Sequence, residues 1–267
     1  MLTPSQAERV EVVLVSPRNP LNIGAAARAM ANFGLDRLAI VSPFAVNWTE
    51  AKSAVGAPEL LRQARVFDSL TQAVAGCKLV IGTGSLDRRR PEQRALNLPE
   101  AAQWLRQTLN TPYPGAPQPA EHQPRVALVF GSEKHGLTAD DLSWCHAIAV
   151  IETADQQPSM NLGQAVAVCL YELSRSPERQ PTQPTLLQNP CQFPSSEQLD
   201  RLAALVEETM EKSNYATRGL RSANGEALRI LLRRLMPNDA DLRRMMGLFR
   251  RILWRLDHPQ HHSGDKP

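Results

Sequence analysis

The residues that could do chemistry fall in three short stretches. The first is Asn19-Pro20-Leu21-Asn22-Ile23-Gly24-Ala25-Ala26-Ala27-Arg28, where small residues precede a single guanidinium. Arg28 lies off the apolar stripe of Ile23, Ala26, Ala27 and Met30. Gly24, one helical turn earlier, leaves a clear face on which a phosphate or ribose could come close. The second stretch, Gly131-Ser132-Glu133-Lys134-His135-Gly136-Leu137, directly follows the apolar run 126–130. Gly131 can expose backbone at a strand end, Gly136 allows a tight turn, and Glu133 can accept hydrogen bonds from neighbouring loops. The third, Gln157-Pro158-Ser159-Met160-Asn161-Leu162-Gly163-Gln164-Ala165-Val166, is a polar turn before a helical stripe of Leu162, Val166, Cys169, Leu170 and Leu173. Pro158 discourages helix in the residue before it, and Ser159 or Asn161 can cap the helix start. Taken singly, each has a bland reading: a surface arginine, a structural glutamate in a turn, a capped strand-to-helix connection. His135 is a lone loop histidine, usually just solvated.

A fourth stretch, Gly82-Thr83-Gly84-Ser85, ends an apolar run and lets a ligand approach the backbone. As a dinucleotide fingerprint it is incomplete, because the third glycine position is Asp87. No G-x-x-x-x-G-K-[ST] loop and no G-x-S-x-G elbow occur, so nucleoside-triphosphate and serine-hydrolase chemistry lack their signatures.

Apolar runs at 11–15, 38–41, 78–81, 126–130 and 147–151 read as buried strands, alternating with helical patterns. That alternation predicts an α/β fold, a mainly parallel sheet covered on both faces, with its ligand crevice beyond the strand C-termini. Asn22 is the expected N-cap of the helix that Gly34 stops, the region before 78–81 reads as mixed helical, and a further helix is expected over 99–109. The prolines of 111–124 mark an irregular loop. The predicted organisation is an α/β domain over 1–175, a proline-rich linker over 176–194, a helical domain over 195–257 and a disordered tail over 258–267. Ser195 or Ser196 can cap the first C-terminal helix, and further stripes centre on Leu231-Leu232 and on Met245-Met246.

The chain has 267 residues, enough for one large and one small domain. No apolar run is long enough for a membrane span and the N-terminus lacks a signal-peptide layout, so a cytosolic protein is expected. Cys77, Cys145, Cys169 and Cys191 are widely spaced and read as reduced thiols; no metal centre is expected. The net charge is only +3, yet eleven cations stand against three carboxylates between 212 and 256. A basic helical segment on a neutral-to-acidic body points to a polyanionic partner.

In their order and placement, Asn19 to Arg28, Phe130 to Leu137 and Ser159 to Val166 resemble the three motifs of the SPOUT class of RNA methyltransferases. The likeness covers about residues 8 to 175 and is strongest to the ribose 2′-O-methylating branch, in particular the bacterial TrmJ-type tRNA (cytidine/uridine-2′-O-)-methyltransferases. The resemblance implies a deep trefoil knot in the C-terminal part of the α/β domain and a homodimer with its active sites near the subunit interface. It implies S-adenosylmethionine bound by Thr83, Gly84, Ser85, Gly131, Ile151, Pro158, Ser159 and Met160. Arg28 would be catalytic, supported by Asn22, Glu133, Ser159 and Asn161. Binding of the tRNA backbone would fall to Arg88, Arg89 and Arg90 with Arg233, Arg234, Arg243, Arg244, Arg250 and Arg251, and position 32 of the anticodon loop would be the target. The rival readings are the same chemistry on ribosomal RNA, a knotted RNA-binding module without catalysis, and a Rossmann oxidoreductase.

Overall fold

The computed structural model describes residues 1–44, 48, 54–85, 91–110, 124–175, 193–215 and 221–258, the side chains of 221–224 excepted. In chain order these form α1 (Pro4–Ala7), β1 (Val10–Val15), α2 (Pro20–Asn32), β2 (Leu38–Val41), α3 (Pro58–Arg62), β3 (Arg65–Phe67), α4 (Leu70–Val74) and β4 (Cys77–Thr83). Then come β5 (Arg94–Asn97), α5 (Leu98–Asn110), β6 (Arg125–Phe130), α6 (Ala139–Ser143), β7 (Ala147–Val150), α7 (Leu162–Ser174), α8 (Ser196–Lys212), α9 (Arg221–Leu235) and α10 (Asp239–Asp257).

The strands make one seven-stranded sheet in the order β3-β2-β1-β6-β4-β7-β5, and every described pair is parallel. Both faces are covered, which is why β1 is buried along its whole length and reads as an unbroken apolar run apart from Glu11. Alternate residues serve opposite faces: Val10, Val12 and Leu14 pack with residues of α2, α5 and α7, while Val13 and Val15 pack with residues of α4 and α6. Glu11 is fully buried and is held by Arg65 and by Arg37, at 3.3 Å. Two strands enter between neighbours laid down earlier, β6 between β1 and β4 and β7 between β4 and β5. That order is compatible with the threaded chain that the resemblance implies.

The five expected strands are present, and two more flank them. β3 and β5 are the sheet edges, and in β5 only Leu96 is buried, so neither carries an apolar run that a sequence would reveal. The cap of α2 is Asn19, whose side chain accepts from Leu21 N, with Pro20 in the first helical position. Asn22, expected as the cap, lies inside the first turn instead. Gly34 ends the helix as expected, at φ +70°. The caps left open in the sequence are Asn161 for α7 and Ser195 for α8, the latter in a reciprocal capping box with Gln198.

The three C-terminal helices enclose a small core of Leu199, Leu202, Val206, Leu232 and Leu242. They also rest on the α/β part, α8 against α4 and β4, and α9 against α6. Glu197 N donates to Ala75 O at 3.2 Å. One expected phosphate contact is corrected by this docking. Arg233 is 1% exposed, its Nε donates to Trp144 O at 3.0 Å, and its guanidinium lies over the Trp144 ring. A side chain so enclosed cannot reach an RNA backbone. Arg88, Arg89 and Arg90, Cys191, nearly all of the expected linker and the tail beyond His258 lie outside the described residues.

Candidate active site

At the C-terminal ends of β4, β6 and β7 a cavity of about 480 Å³ opens. Thr83, Gly84, Ser85, Gly131, Ile151, Pro158, Ser159 and Met160 all line it, together with Glu133. The structure thus brings together stretches from four places in the chain at the crevice where parallel sheets bind ligands. Leu137, Leu142, Ile148 and Leu162 supply apolar wall. The volume suits a drug-sized organic ligand, and the lining sets that apolar wall beside polar side chains that include Lys134 and His135. Ser132, Thr153, Pro91 and Ala165 also line the cavity. Of these, Thr153 stands in a polar loop after β7, where no residue pattern distinguishes it from solvated neighbours.

The loops are shaped by close backbone approach. A Cβ on Gly131 would stand 2.0 Å from the carbonyl carbon of Gly136 and 2.2 Å from Leu137 N. Gly136 itself has φ +64°, and its N–H donates to Ser132 O at 2.8 Å, closing the turn on itself. Across the cavity the Thr83 hydroxyl donates to Val129 O at 3.0 Å and Gly84 N donates to Ala149 O at 3.3 Å. The 83–85 segment is therefore fastened to β6 and β7 on either side of it.

A polar network joins the three motif stretches beside this cavity. Glu133 accepts from Arg18 N at 2.9 Å, Asn19 N at 3.0 Å and Asn22 Nδ2 at 2.9 Å. Asn161 Nδ2 donates to Asn22 Oδ1 at 2.9 Å, while Asn161 Oδ1 accepts from Gly163 N at 3.0 Å as the α7 cap. Because Asn19 takes the capping task on α2, the Asn22 amide is available to both partners. Burial alone would push the Glu133 carboxyl up. Donation from Asn22 and from the Asn19 and Arg18 N–H groups outweighs it and holds the group below the usual carboxylate range. Helices α2 and α7 are drawn so close that a Cβ on Gly163 would meet Ala25 Cβ at 2.6 Å.

Arg28 is placed differently. It is exposed on α2 and is not among the residues lining the cavity of its own chain. Cys77, Cys145 and Cys169 are free and buried, and burial pushes each thiol up to about 12, so none is a nucleophile. No helix among the described residues is long and apolar enough to cross a membrane.

Residues 9–171 match the model of the SpoU rRNA Methylase family. The chain is 30% identical over 263 residues to the tRNA (cytidine/uridine-2'-O-)-methyltransferase TrmJ of Yersinia pestis (strain Pestoides F), with 96% of each chain covered. It is 32% identical over 248 residues to the TrmJ of Pectobacterium atrosepticum, covering 90% of this chain and 95% of that one. The crystal structure of TrmJ from Z. mobilis ZM4 matches with a TM-score of 0.74 at 29% identity, over 91% of this chain and 98% of that one. The likeness thus spans both the sheet that builds the cavity and the helices docked behind it, and the chain belongs to the SpoU methylase family, among its TrmJ-type members.

Proposed function

We propose that the chain transfers a methyl group from S-adenosylmethionine to a ribose 2′-hydroxyl of tRNA, at the cytidine or uridine of position 32 in the anticodon loop. The observation that carries this reading is one cavity lined by the second and third motif stretches, with the first stretch tied to both beside it through Glu133, Asn22 and Asn161. The cavity fits the cofactor: glycine backbone at 84 permits close approach of a flat base, and Ile148, Ile151 and Met160 offer apolar contact. When bound, S-adenosylmethionine supplies a methyl group already activated on a sulfonium. What remains for the protein is to hold the hydroxyl in line and to deal with its proton.

Arg28 would bind a substrate phosphate and stabilise the developing alkoxide, a task suited to a guanidinium, which is a permanent cation and a poor base. Ser159, or the substrate phosphate, would carry the proton away. Since Arg28 lies outside its own chain's cavity, a homodimer that sets α2 of one protomer against the cavity of the other would complete the site. The tRNA backbone would lie along the exposed arginines of α10, Arg243, Arg244, Arg250 and Arg251, with the half-exposed Arg234 at the edge of the same helical unit. These contacts position RNA without reading its sequence, and they suit work in the cytosol on folded tRNA.

The test is to incubate the protein with labelled S-adenosylmethionine and either total tRNA or ribosomal RNA and to map the labelled ribose. Label confined to the tRNA anticodon loop is the expected result; label in ribosomal RNA alone would overturn the substrate. Arg28→Ala should abolish turnover and leave cofactor affinity within a few fold, and unchanged turnover would remove Arg28 from the mechanism.

A further inference from the structure

The wall of the cavity formed by α6 is held from behind by the C-terminal helices. α6 has five residues, far too short to be stable by itself, so tertiary contacts must fix its position. Its Leu142 faces the cavity, and the turn after it leads directly into β7, where Ile148 also lines the cavity. On the opposite side stand two arginines of α9. Arg229 Nε donates to Ser143 Oγ at 2.9 Å, its Nη2 donates to Asp140 Oδ1 at 2.6 Å, and its guanidinium lies 4.6 Å from the Trp144 ring centroid. Arg233 Nε donates to Trp144 O, the C-cap carbonyl of α6, and its guanidinium lies 5.1 Å from the same ring centroid. Arg229 therefore holds the side of the short helix by two hydrogen bonds and Arg233 holds its end by one, with both guanidinium groups beside the Trp144 ring.

The energetics favour geometry over stability as what this grip secures. Arg233 is almost wholly buried, its Nη2 has no partner among the described residues, and burial pushes its guanidinium down to about 10. A buried cation with an unfilled donor stabilises a fold poorly compared with an apolar side chain of similar size. A planar fork does fix one helix against another in a single register.

We infer that Arg229 and Arg233 are positioning residues for cofactor binding: by clamping α6 they set the cavity wall made by Leu142 and Ile148. The C-terminal helices then do more than gather RNA, because their docking supports the wall of the cofactor cavity. This rests on the cofactor reading of the cavity given above.

The experiment measures S-adenosylmethionine affinity by calorimetry on the full chain, well below the unfolding temperature, for wild type, Arg229→Ala, Arg233→Lys and the charge swap Asp140→Arg with Arg229→Asp. Affinity should fall roughly tenfold in each single variant and recover by at least half of that loss in the swap. The apparent KM for the cofactor should rise while kcat at saturating cofactor stays within a few fold. Lowered thermal stability with unchanged affinity in both single variants would overturn the inference and leave the arginines as packing. Absence of cofactor binding in the wild type would instead overturn the reading of the cavity on which it stands.

Discussion

The Asn161 amide donates to Asn22 Oδ1 at 2.9 Å while the oxygen of the same amide caps α7. One side chain thereby fixes where α7 begins and where that beginning sits relative to α2. Asn22 passes the constraint to Glu133, and Glu133 to the backbone at 18 and 19. The relative placement of the three motif stretches is thus set by three side chains, Asn161, Asn22 and Glu133, and not by the sheet alone.

The two tasks of Asn161 can be separated. Asn161→Ala removes the cap and should lower stability by about 1 kcal/mol. Asn161→Asp keeps an acceptor for Gly163 N and restores the stability, but a carboxylate has no N–H to give Asn22. Turnover should therefore fall in both variants while thermal unfolding distinguishes them. Full turnover in the aspartate variant would show the tie to Asn22 to be dispensable.

Gly131→Ala places a methyl inside contact distance of the Gly136–Leu137 backbone, so the loop must move rather than a side chain. The loop is at the surface end of β6 and the core behind it is untouched. Far-ultraviolet circular dichroism should be preserved and cofactor affinity should fall at least tenfold in calorimetry.

Glu133 gives the loops an acid limit. Its carboxyl lies below the usual range when folded, so the tie it makes is complete above the ordinary value, about 4.3. The tie is lost only as pH falls through the lower folded value. Cofactor affinity of the wild type should accordingly hold at pH 5 and collapse in more acid buffer. Glu133→Gln keeps one acceptor and should bind more weakly at every pH, without that acid collapse.

The fold meets acid earlier than the site does. His146 is buried and accepts from Val80 N through Nδ1 at 3.1 Å; burial holds its pKa down to about 3, so it is neutral in the folded chain. The unfolded chain takes up a proton there from its ordinary value near 6.5 downward, so stability is full above that pH and declines as pH falls toward 3. By pH 5 the loss should be about 2 kcal/mol. Urea titrations at pH 7.5 and 5 should show it, and His146→Gln should flatten the difference.

What the sequence displays of all this follows burial. Strands β1, β2, β4, β6 and β7 are central or sheltered on both faces and spell themselves out as apolar runs. β3 and β5 are edges with half-exposed residues, and their pairing is a long-range fact without a local mark. Asn19 and Asn22 were equally good caps by type, and only Pro20 at the first helical position decides between them. The cavity stretches showed singly only as glycines and a proline where apolar runs stop, and their joint role as a cofactor site was implied by the family resemblance. Arg233 was not, since an arginine on an amphipathic helix looks the same whether it meets solvent or the indole of Trp144.

The exposed face of α10 offers a way to separate charge from stacking in RNA binding. Arg243, Arg244, Arg250 and Arg251 are exposed, and Trp254 is 39% exposed with the Arg251 guanidinium 4.6 Å from its ring centroid and the His258 ring stacked at 5.0 Å. Phosphate contacts release counterions, so replacing the four arginines by glutamine should reduce the slope of log affinity against log salt by about 3. A base that took the place of the His258 ring on Trp254 would contribute independently of salt, so Trp254→Ala should lower tRNA affinity by about 1 kcal/mol with the slope unchanged. Arg233→Lys supplies the control, because a buried guanidinium neutralises no phosphate and its loss should leave the salt slope alone. Filter binding of tRNA between 50 and roughly 300 mM salt measures all three. A slope unmoved by the four-arginine variant would place the RNA on another face of the molecule.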